Sequence, residues 1–150
     1  MKFLFGIALA FSIIKTNPVW VEFAKSYTIT FSYDKSNIKK IDSSKSLIWI
    51  KQVPLPESYT EVKIGKMKEN KIEKGYDEFG KPKNSFQGFE NYGFTILQEE
   101  IDCKKDLYRI LKIIEYDMNG EVLKNSEDKI EWAYVVPGTA QMAILDSLCN

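Results

Sequence analysis

The residues that most enzymes use for chemistry are scarce in this sequence of 150 residues. It contains no histidine, which removes the commonest general base and the imidazole metal ligand. Glu99, Glu100 and Asp102 are the carboxylates that could be considered for glycoside hydrolysis. Strand alternation puts Glu100 and Asp102 on one face and Glu99 on the other, so we expect solvated charges there and no enzyme.

Two cysteines, Cys103 and Cys149, are the strongest chemical signal in the sequence. In an exported protein they would meet an oxidising environment, where a disulfide between them persists. The alternatives are two unpaired buried thiols, or a metal site that would need carboxylates beside the two thiolates. We predict the disulfide, and we expect no metal and no cofactor.

Residues 57–91 are predicted to form a long loop insertion, because Lys, Glu, Asn and Gly residues fill the segment. Its aromatic residues Tyr76, Phe79, Phe86 and Phe89 could serve as binding anchors, since rings give a large contact area at low entropy cost. The alternative is that these rings fold back and cap the sheet. The lysines of the segment alternate with glutamates, which indicates a solvated surface.

The overall composition limits the remaining possibilities. Hydrophobic residues make up 44% of the chain, enough for one core at this length, so we predict a single domain over residues 18–150. The 21 Lys and Arg residues balance the 21 Asp and Glu residues, so the summed charge gives no field that would attract nucleic acid. We therefore expect no nucleic-acid partner.

The first residues have the pattern of a secretion signal. Lys2 precedes an apolar run from Phe3 to Ile14, which Lys15 ends. The run is shorter than the ~20 residues that span a bilayer and has the length of a signal-peptide core. We predict a signal peptide over residues 1–17 and an exported protein, periplasmic, secreted or on the outer surface, with no stable membrane span after cleavage. The alternative is an N-terminal core strand or short buried helix.

Alternating apolar and polar residues predict several strands. Tyr27, Ile29, Phe31 and Tyr33 would share one apolar face. Residues 47–50 are apolar on both faces, which predicts a central strand. Further strands are predicted over residues 93–103, over residues 107–116 and from residue 121, with a hairpin turn at residues 117–120.

A short helix is predicted at the C-terminal end. Thr139 follows Pro137-Gly138 and is a candidate N-cap. One apolar stripe follows it, made of Ala140, Ala143, Ile144 and Leu148. The predicted fold class is therefore α+β, an antiparallel β-sheet with a C-terminal helix packed on it and tied by one disulfide.

The order of several short motifs resembles the surface-adhesin protein E family of small exported bacterial proteins. The motifs are Trp20-Val21-Glu22, Tyr33-Asp34-Lys35-Ser36-Asn37-Ile38, Leu47-Ile48-Trp49-Ile50, Ile101-Asp102-Cys103, Trp132, Pro137-Gly138-Thr139 and Cys149. The resemblance implies the same sheet, helix and bridge, and it places Trp20, Trp49 and Trp132 in packing roles.

The resemblance also implies a function. The namesake of the family is an adhesin that binds host extracellular-matrix and serum proteins, so we expect a non-enzymatic binding module for host matrix or envelope proteins. Such a module would use the insertion or an exposed sheet edge. The alternative is a periplasmic carrier of a small apolar ligand, with an enclosed cavity beside Tyr27, Phe31 and Trp49.

Overall fold

An antiparallel β-sheet of eight strands and two helices form the part of the chain that the structure describes. The structure is a computed structural model, and it describes residues 17–70, 88–127 and 130–149. The strands are β1 (Trp20–Lys25), β2 (Ile29–Asp34), β3 (Lys39–Lys40), β4 (Lys45–Pro54), β5 (Tyr92–Asp102), β6 (Leu107–Asp117), β7 (Val122–Ser126) and β8 (Ala133–Tyr134). The helices are α1 (Tyr59–Asn70) and α2 (Ala140–Cys149). The predicted signal peptide lies outside the described residues, apart from Asn17.

The strands lie in the order β1-β2-β4-β5-β6-β7, and each neighbouring pair is antiparallel. The short strands β3 and β8 pair with the first parts of β4 and β6. Because β4 has partners on both sides, the predicted central strand at residues 47–50 is confirmed. Strand β4 ends at Pro54, because proline has no backbone N–H to donate to a neighbouring strand.

The turn between β6 and β7 follows from its sequence. The Asp117 carboxylate accepts hydrogen bonds from the backbone N–H groups of Asn119 and Glu121, both at 2.8 Å. Gly120 has a φ of +86°, a backbone conformation that residues with a Cβ atom rarely adopt and that glycine adopts readily. The predicted hairpin turn is therefore confirmed.

The core lies on one face of the sheet, which we call the inner face. Ile48 and Ile50 of β4 and Leu97 and Ile101 of β5 alternate toward this face and are buried. Val135 and, from α2, Ile144 and Leu145 complete the buried cluster. The predicted packing of a C-terminal helix on the sheet is confirmed.

Helix α2 has a capped N-terminus and a C-terminus that is covalently linked to the sheet. The backbone N–H of Met142 donates to the Thr139 hydroxyl at 3.4 Å, which confirms Thr139 as the N-cap. At the other end Cys149 is joined to Cys103 by a disulfide, with the two Cα atoms 5.5 Å apart. The predicted α+β fold and its bridge are both confirmed.

The prediction of a loop over residues 57–91 is wrong for its first part, because Tyr59–Asn70 form α1. This helix has no continuous apolar stripe, and Ile64 is exposed. Polar contacts hold it instead: the Tyr59 hydroxyl donates to the Tyr92 carbonyl at 2.7 Å, and Lys66 Nζ lies 2.7 Å from Glu115 Oε1. Contacts of this kind are invisible in the local sequence pattern.

The predicted place of Tyr27 on an apolar strand face is also wrong. Strand β2 begins at Ile29, and Tyr27 is 97% exposed in the turn before it. The Ser26 hydroxyl accepts a hydrogen bond from the backbone N–H of Ile29 at 3.0 Å and so closes a tight turn. This turn carries the Tyr27 side chain away from the core.

Candidate functional site

The face of the sheet opposite the core, which we call the outer face, carries the best candidate site. Strand register assigns its side chains, because directly opposed residues share a face. Three rows cross β4, β5 and β6: Leu47, Glu100 and Arg109; Trp49, Gln98 and Lys112; Lys51, Ile96 and Ile114. Both described helices pack on the inner face, so no described helix covers these rows.

Lys51 lies between aromatic rings on the outer face. Its Nζ is 4.3 Å from the centroid of the Phe94 ring and 5.8 Å from that of Trp20. Phe94 stacks on Tyr116, with the ring centroids 4.8 Å apart. Among the described residues Lys51 has no carboxylate partner, so its charge is held by cation–π contacts alone.

A second cation on the outer face is neutralised within the protein. Arg109 Nε donates to Glu100 Oε2 at 2.8 Å, and the guanidinium lies 4.5 Å from the centroid of the Trp132 ring. Glu100 is only 5% exposed beneath these groups. Trp132 therefore packs on this end of the outer face, as the resemblance implied.

The expectation that Glu99, Glu100 and Asp102 are solvated is wrong, because all three are buried. Asp102 accepts hydrogen bonds from the backbone N–H groups of Lys104 and Lys105 in the turn after β5. Glu99 is on the inner face, opposite Ile48, whereas Glu100 and Asp102 are on the outer face. Glu99 therefore cannot flank one scissile bond together with either of the other two carboxylates. Glu100 is paired with Arg109 and Asp102 accepts hydrogen bonds from its own turn, which argues against glycoside hydrolysis by that pair.

The exposed charge of the outer face is mainly basic. Lys39 and Lys45 belong to this face with Lys51, since they oppose Leu47 and Asp102 in the register. The acidic residue Asp34 is buried and held by Ser36 and Asn37. Burial opposes ionisation of Asp34, but these hydrogen bonds outweigh it and lower the pKa of the carboxyl.

An open groove lies on the inner side, between the β1–β2 turn and the first turns of α2. Its volume is about 1020 Å³, and its walls include Phe23, Tyr27, Phe31, Gln141 and Met142. The carrier hypothesis predicted an enclosed cavity beside Tyr27, Phe31 and Trp49. Two of these residues line the groove, but the groove is open and Trp49 lies on the outer face.

Glu99 is buried in the core behind this groove. Its side chain is fully buried, and neither carboxylate oxygen meets hydrogen-bond geometry with any partner in the described chain. Burial raises the pKa of the Glu99 carboxyl to about 7, and the nearby Gln141 amide of α2 offsets part of that rise. The local sequence does not indicate that Glu99 is buried, because its burial depends on the packing of α2 over β5.

Comparison with known proteins decides the family. The family model described as surface-adhesin protein E matches residues 20–150. The chain belongs to the surface-adhesin protein E family. No curated protein and no solved structure matches the chain significantly.

Membership in the surface-adhesin protein E family implies an adhesin-like protein that is exported or located at the surface. Among the described residues, no helix is both long and apolar enough to span a membrane. The described residues also contain no group of three or more Cys, Asp or Glu that could hold a metal ion.

The aromatic residues proposed as anchors in this surface-adhesin protein E domain can be placed only in part. Tyr76, Phe79 and Phe86 lie outside the described residues. Phe89 is in a short 3-10 turn before β5 and is only 4% exposed, which fits the packing alternative. The aromatic residues of the outer face were not predicted as a site, although the alternation of side chains along each strand would have placed them on one face.

Proposed function

We propose that this adhesin-like protein binds an acidic segment of a protein partner on the outer face of its sheet, and that the partner is a host matrix or envelope protein. The observation that supports this most is Lys51, a cation between aromatic rings with no carboxylate partner among the described residues. A partner carboxylate would complete this arrangement.

The residue types of the outer face are those that dominate binding energy in protein interfaces. Aromatic side chains and arginine are enriched at such hot spots, because they combine large apolar area with a polar group. Trp20, Trp49, Phe94 and Tyr116 lie on this face and are half-buried. Phe94 and Tyr116 already stack on each other and Trp20 already contacts Lys51, so a partner would order few additional side chains on binding.

The charge of the face favours an acidic partner. Lys39, Lys45 and Lys51 point outward, while Glu100 is neutralised by Arg109 and Asp34 is held by local hydrogen bonds. Glu22, at the β1 edge, is an exposed acid on the same side. The resulting potential would speed the approach of a negatively charged segment and would weaken with salt.

The experiment measures binding of immobilised poly-L-glutamate to the purified protein at low and high salt. We expect Lys51→Met, which removes the charge and keeps the side-chain volume, to weaken binding about tenfold, because a charge-assisted hydrogen bond to a partner carboxylate is lost. Lys68→Met is the matched control, since Lys68 is exposed on α1 on the other side of the sheet. Equal loss in both variants, or no loss in Lys51→Met, would contradict the proposal.

The insertion alternative is tested by deleting residues 71–87, which include Tyr76, Phe79 and Phe86 and leave α1 intact. If the outer face is the site, the deletion retains poly-L-glutamate binding and its dependence on Lys51. Binding that disappears with the deletion would assign the function to the insertion instead. The same variants, applied to immobilised matrix proteins and to isolated envelopes, distinguish the two kinds of partner.

A second candidate function is the binding of a small apolar ligand in the groove beside α2. Phe23, Phe31 and Met142 give this groove apolar walls. Titration with 1-anilinonaphthalene-8-sulfonate should then show one saturable site that Ala143→Trp, which fills the groove, removes. Absence of saturable binding would eliminate the carrier function.

A further inference from the structure

Glu99 is the most unusual side chain of the core. It lies in the middle of β5, on the inner face, with Ile48 of β4 on one side and Ile110 of β6 on the other. It has no exposed surface, and both of its carboxylate oxygens lack a hydrogen-bond partner among the described residues. A carboxylate in such surroundings loses its hydration without compensation, so its charged form is strongly disfavoured.

The elements packed around Glu99 bring no described cation to it. Helix α2 contributes the neutral amide of Gln141, and its acidic residue Asp146 lies in the groove wall. From the sheet, Tyr108 and Tyr33 are the titratable side chains that join the same cluster. None of these groups would stabilise a negative charge on Glu99 as a salt-bridge partner does.

The attachment of α2 is unequal along its length. Its C-terminal end is covalently joined to the sheet through Cys149 and Cys103. Its N-terminal half is held by packing of Ile144 and Leu145 and by the Thr139 cap, and these contacts can open reversibly. Gln141, which lies near Glu99, belongs to this releasable half.

We infer that Glu99 is a proton-operated latch between the sheet and the N-terminal half of α2. With the carboxyl protonated, the helix docks on the inner face as described. With the carboxylate ionised, lifting of the first turns of α2 admits water to the charge, while the disulfide keeps the helix on the molecule. Lifting would also widen the groove and expose Phe23, Phe31 and Met142.

The size of the effect follows from the two protonation states. The pKa of Glu99 is about 7 when α2 is docked, against 4.5 for a solvated glutamate. Proton linkage then predicts that the equilibrium for opening α2 increases about 30-fold between pH 5.5 and pH 8.5. Because the sheet stays paired in the open form, its amides should stay better protected than those of α2 at both pH values.

The test is amide hydrogen exchange of the oxidised full chain, expressed as protection factors at pH 5.5 and pH 8.5. We expect protection of Ala143, Ile144 and Leu145 to fall about 30-fold with rising pH in the wild type and to change little in Glu99→Gln. Glu61→Gln is the matched control, since Glu61 is exposed on α1. If Glu99→Gln does not fold, Glu99→Leu replaces it as the variant that cannot ionise at this position.

Three results would overturn the latch. The first is a wild-type α2 whose protection does not change with pH. The second is the same change in Glu99→Gln or Glu99→Leu as in the wild type. The third is protection of α2 equal to that of Ile50 and Leu97 in the sheet at both pH values, which would show that α2 exchanges only by global unfolding.

Discussion

At the scale of single residues, Glu100 and Glu99 show two ways to bury a carboxyl. Glu100 lies opposite Arg109 in the register and is paired with its guanidinium. Glu99, one residue earlier, faces the core and has no partner among the described residues. The first arrangement keeps the charge by pairing it, whereas the second favours the neutral acid.

The Glu100–Arg109 pair leads to a stability prediction. Arg109→Ala should lower the free energy of unfolding by about 3 kcal/mol, because the buried Glu100 carboxylate loses the cation that pairs with it. Urea denaturation at pH 7 measures this. Lys112→Ala is the control: its partner Glu127 is exposed and screened by solvent, so we expect a much smaller loss than in Arg109→Ala. Recovery of stability in Arg109→Leu combined with Glu100→Leu would support this cause, and a small effect of Arg109→Ala would contradict it.

Sequence alternation was sufficient to put Glu99 on one face and Glu100 on the other, but not to predict their burial. Burial of Glu99 requires α2, which lies more than 40 residues further along the chain, to pack over β5. Burial of Glu100 requires Arg109 and Trp132. A local pattern contains no information about these distant partners, so the most unusual residue of the fold was interpreted as a solvated charge.

At the scale of secondary-structure elements, those stabilised by a local apolar repeat could be predicted from the sequence, and one held by distant contacts could not. β4, β6 and α2 were recognisable because their apolar residues repeat with the period of the element that they form. α1 was missed because tertiary polar contacts, such as the ion pair between Lys66 and Glu115, hold it in place of an apolar stripe. Its lysines and glutamates are typical both of a solvated loop and of an exposed helix.

The disulfide between β5 and α2 gives an element-scale prediction. Cys103→Ser, Cys149→Ser and the double variant should each lower the free energy of unfolding by about 4 kcal/mol, since all three release the same loop of 46 residues. Guanidinium denaturation of the four proteins measures the loss. A double variant much less stable than either single one would contradict this reason. Titration of the native wild type should detect no free thiol.

At the scale of the whole molecule, the two proposals place partner binding and helix opening on opposite faces of the sheet. The inner face carries both described helices and the core, including the latch residue Glu99. The outer face carries the aromatic and basic residues of the proposed binding site. Binding and helix opening can therefore be altered independently by substitution.

Global stability should depend on pH with a sign set mainly by Glu99. Its folded pKa of about 7 is above the unfolded value of 4.5, so its stabilising contribution is complete below pH 4.5 and is lost as the pH rises through 7. The loss should reach about 3 kcal/mol by pH 8, measured by urea unfolding across this range, and should vanish in Glu99→Gln. Asp34, whose folded pKa is lowered, acts oppositely and costs stability only below its unfolded value of 3.8. Stability that rises from pH 5 to pH 8 would contradict this prediction.

The bridge from Cys103 to Cys149 has a mechanical consequence for a protein that holds a partner. If the chain is pulled while its partner resists, the residues between the two cysteines cannot extend, because the covalent bond keeps their Cα atoms 5.5 Å apart. The separation of 46 residues corresponds to about 150 Å of fully extended chain, and the disulfide prevents this length from being stretched. Strands β6, β7 and β8 and helix α2 all lie within this inextensible loop, so a force along the chain can extend only the residues outside it, among them β1 to β5.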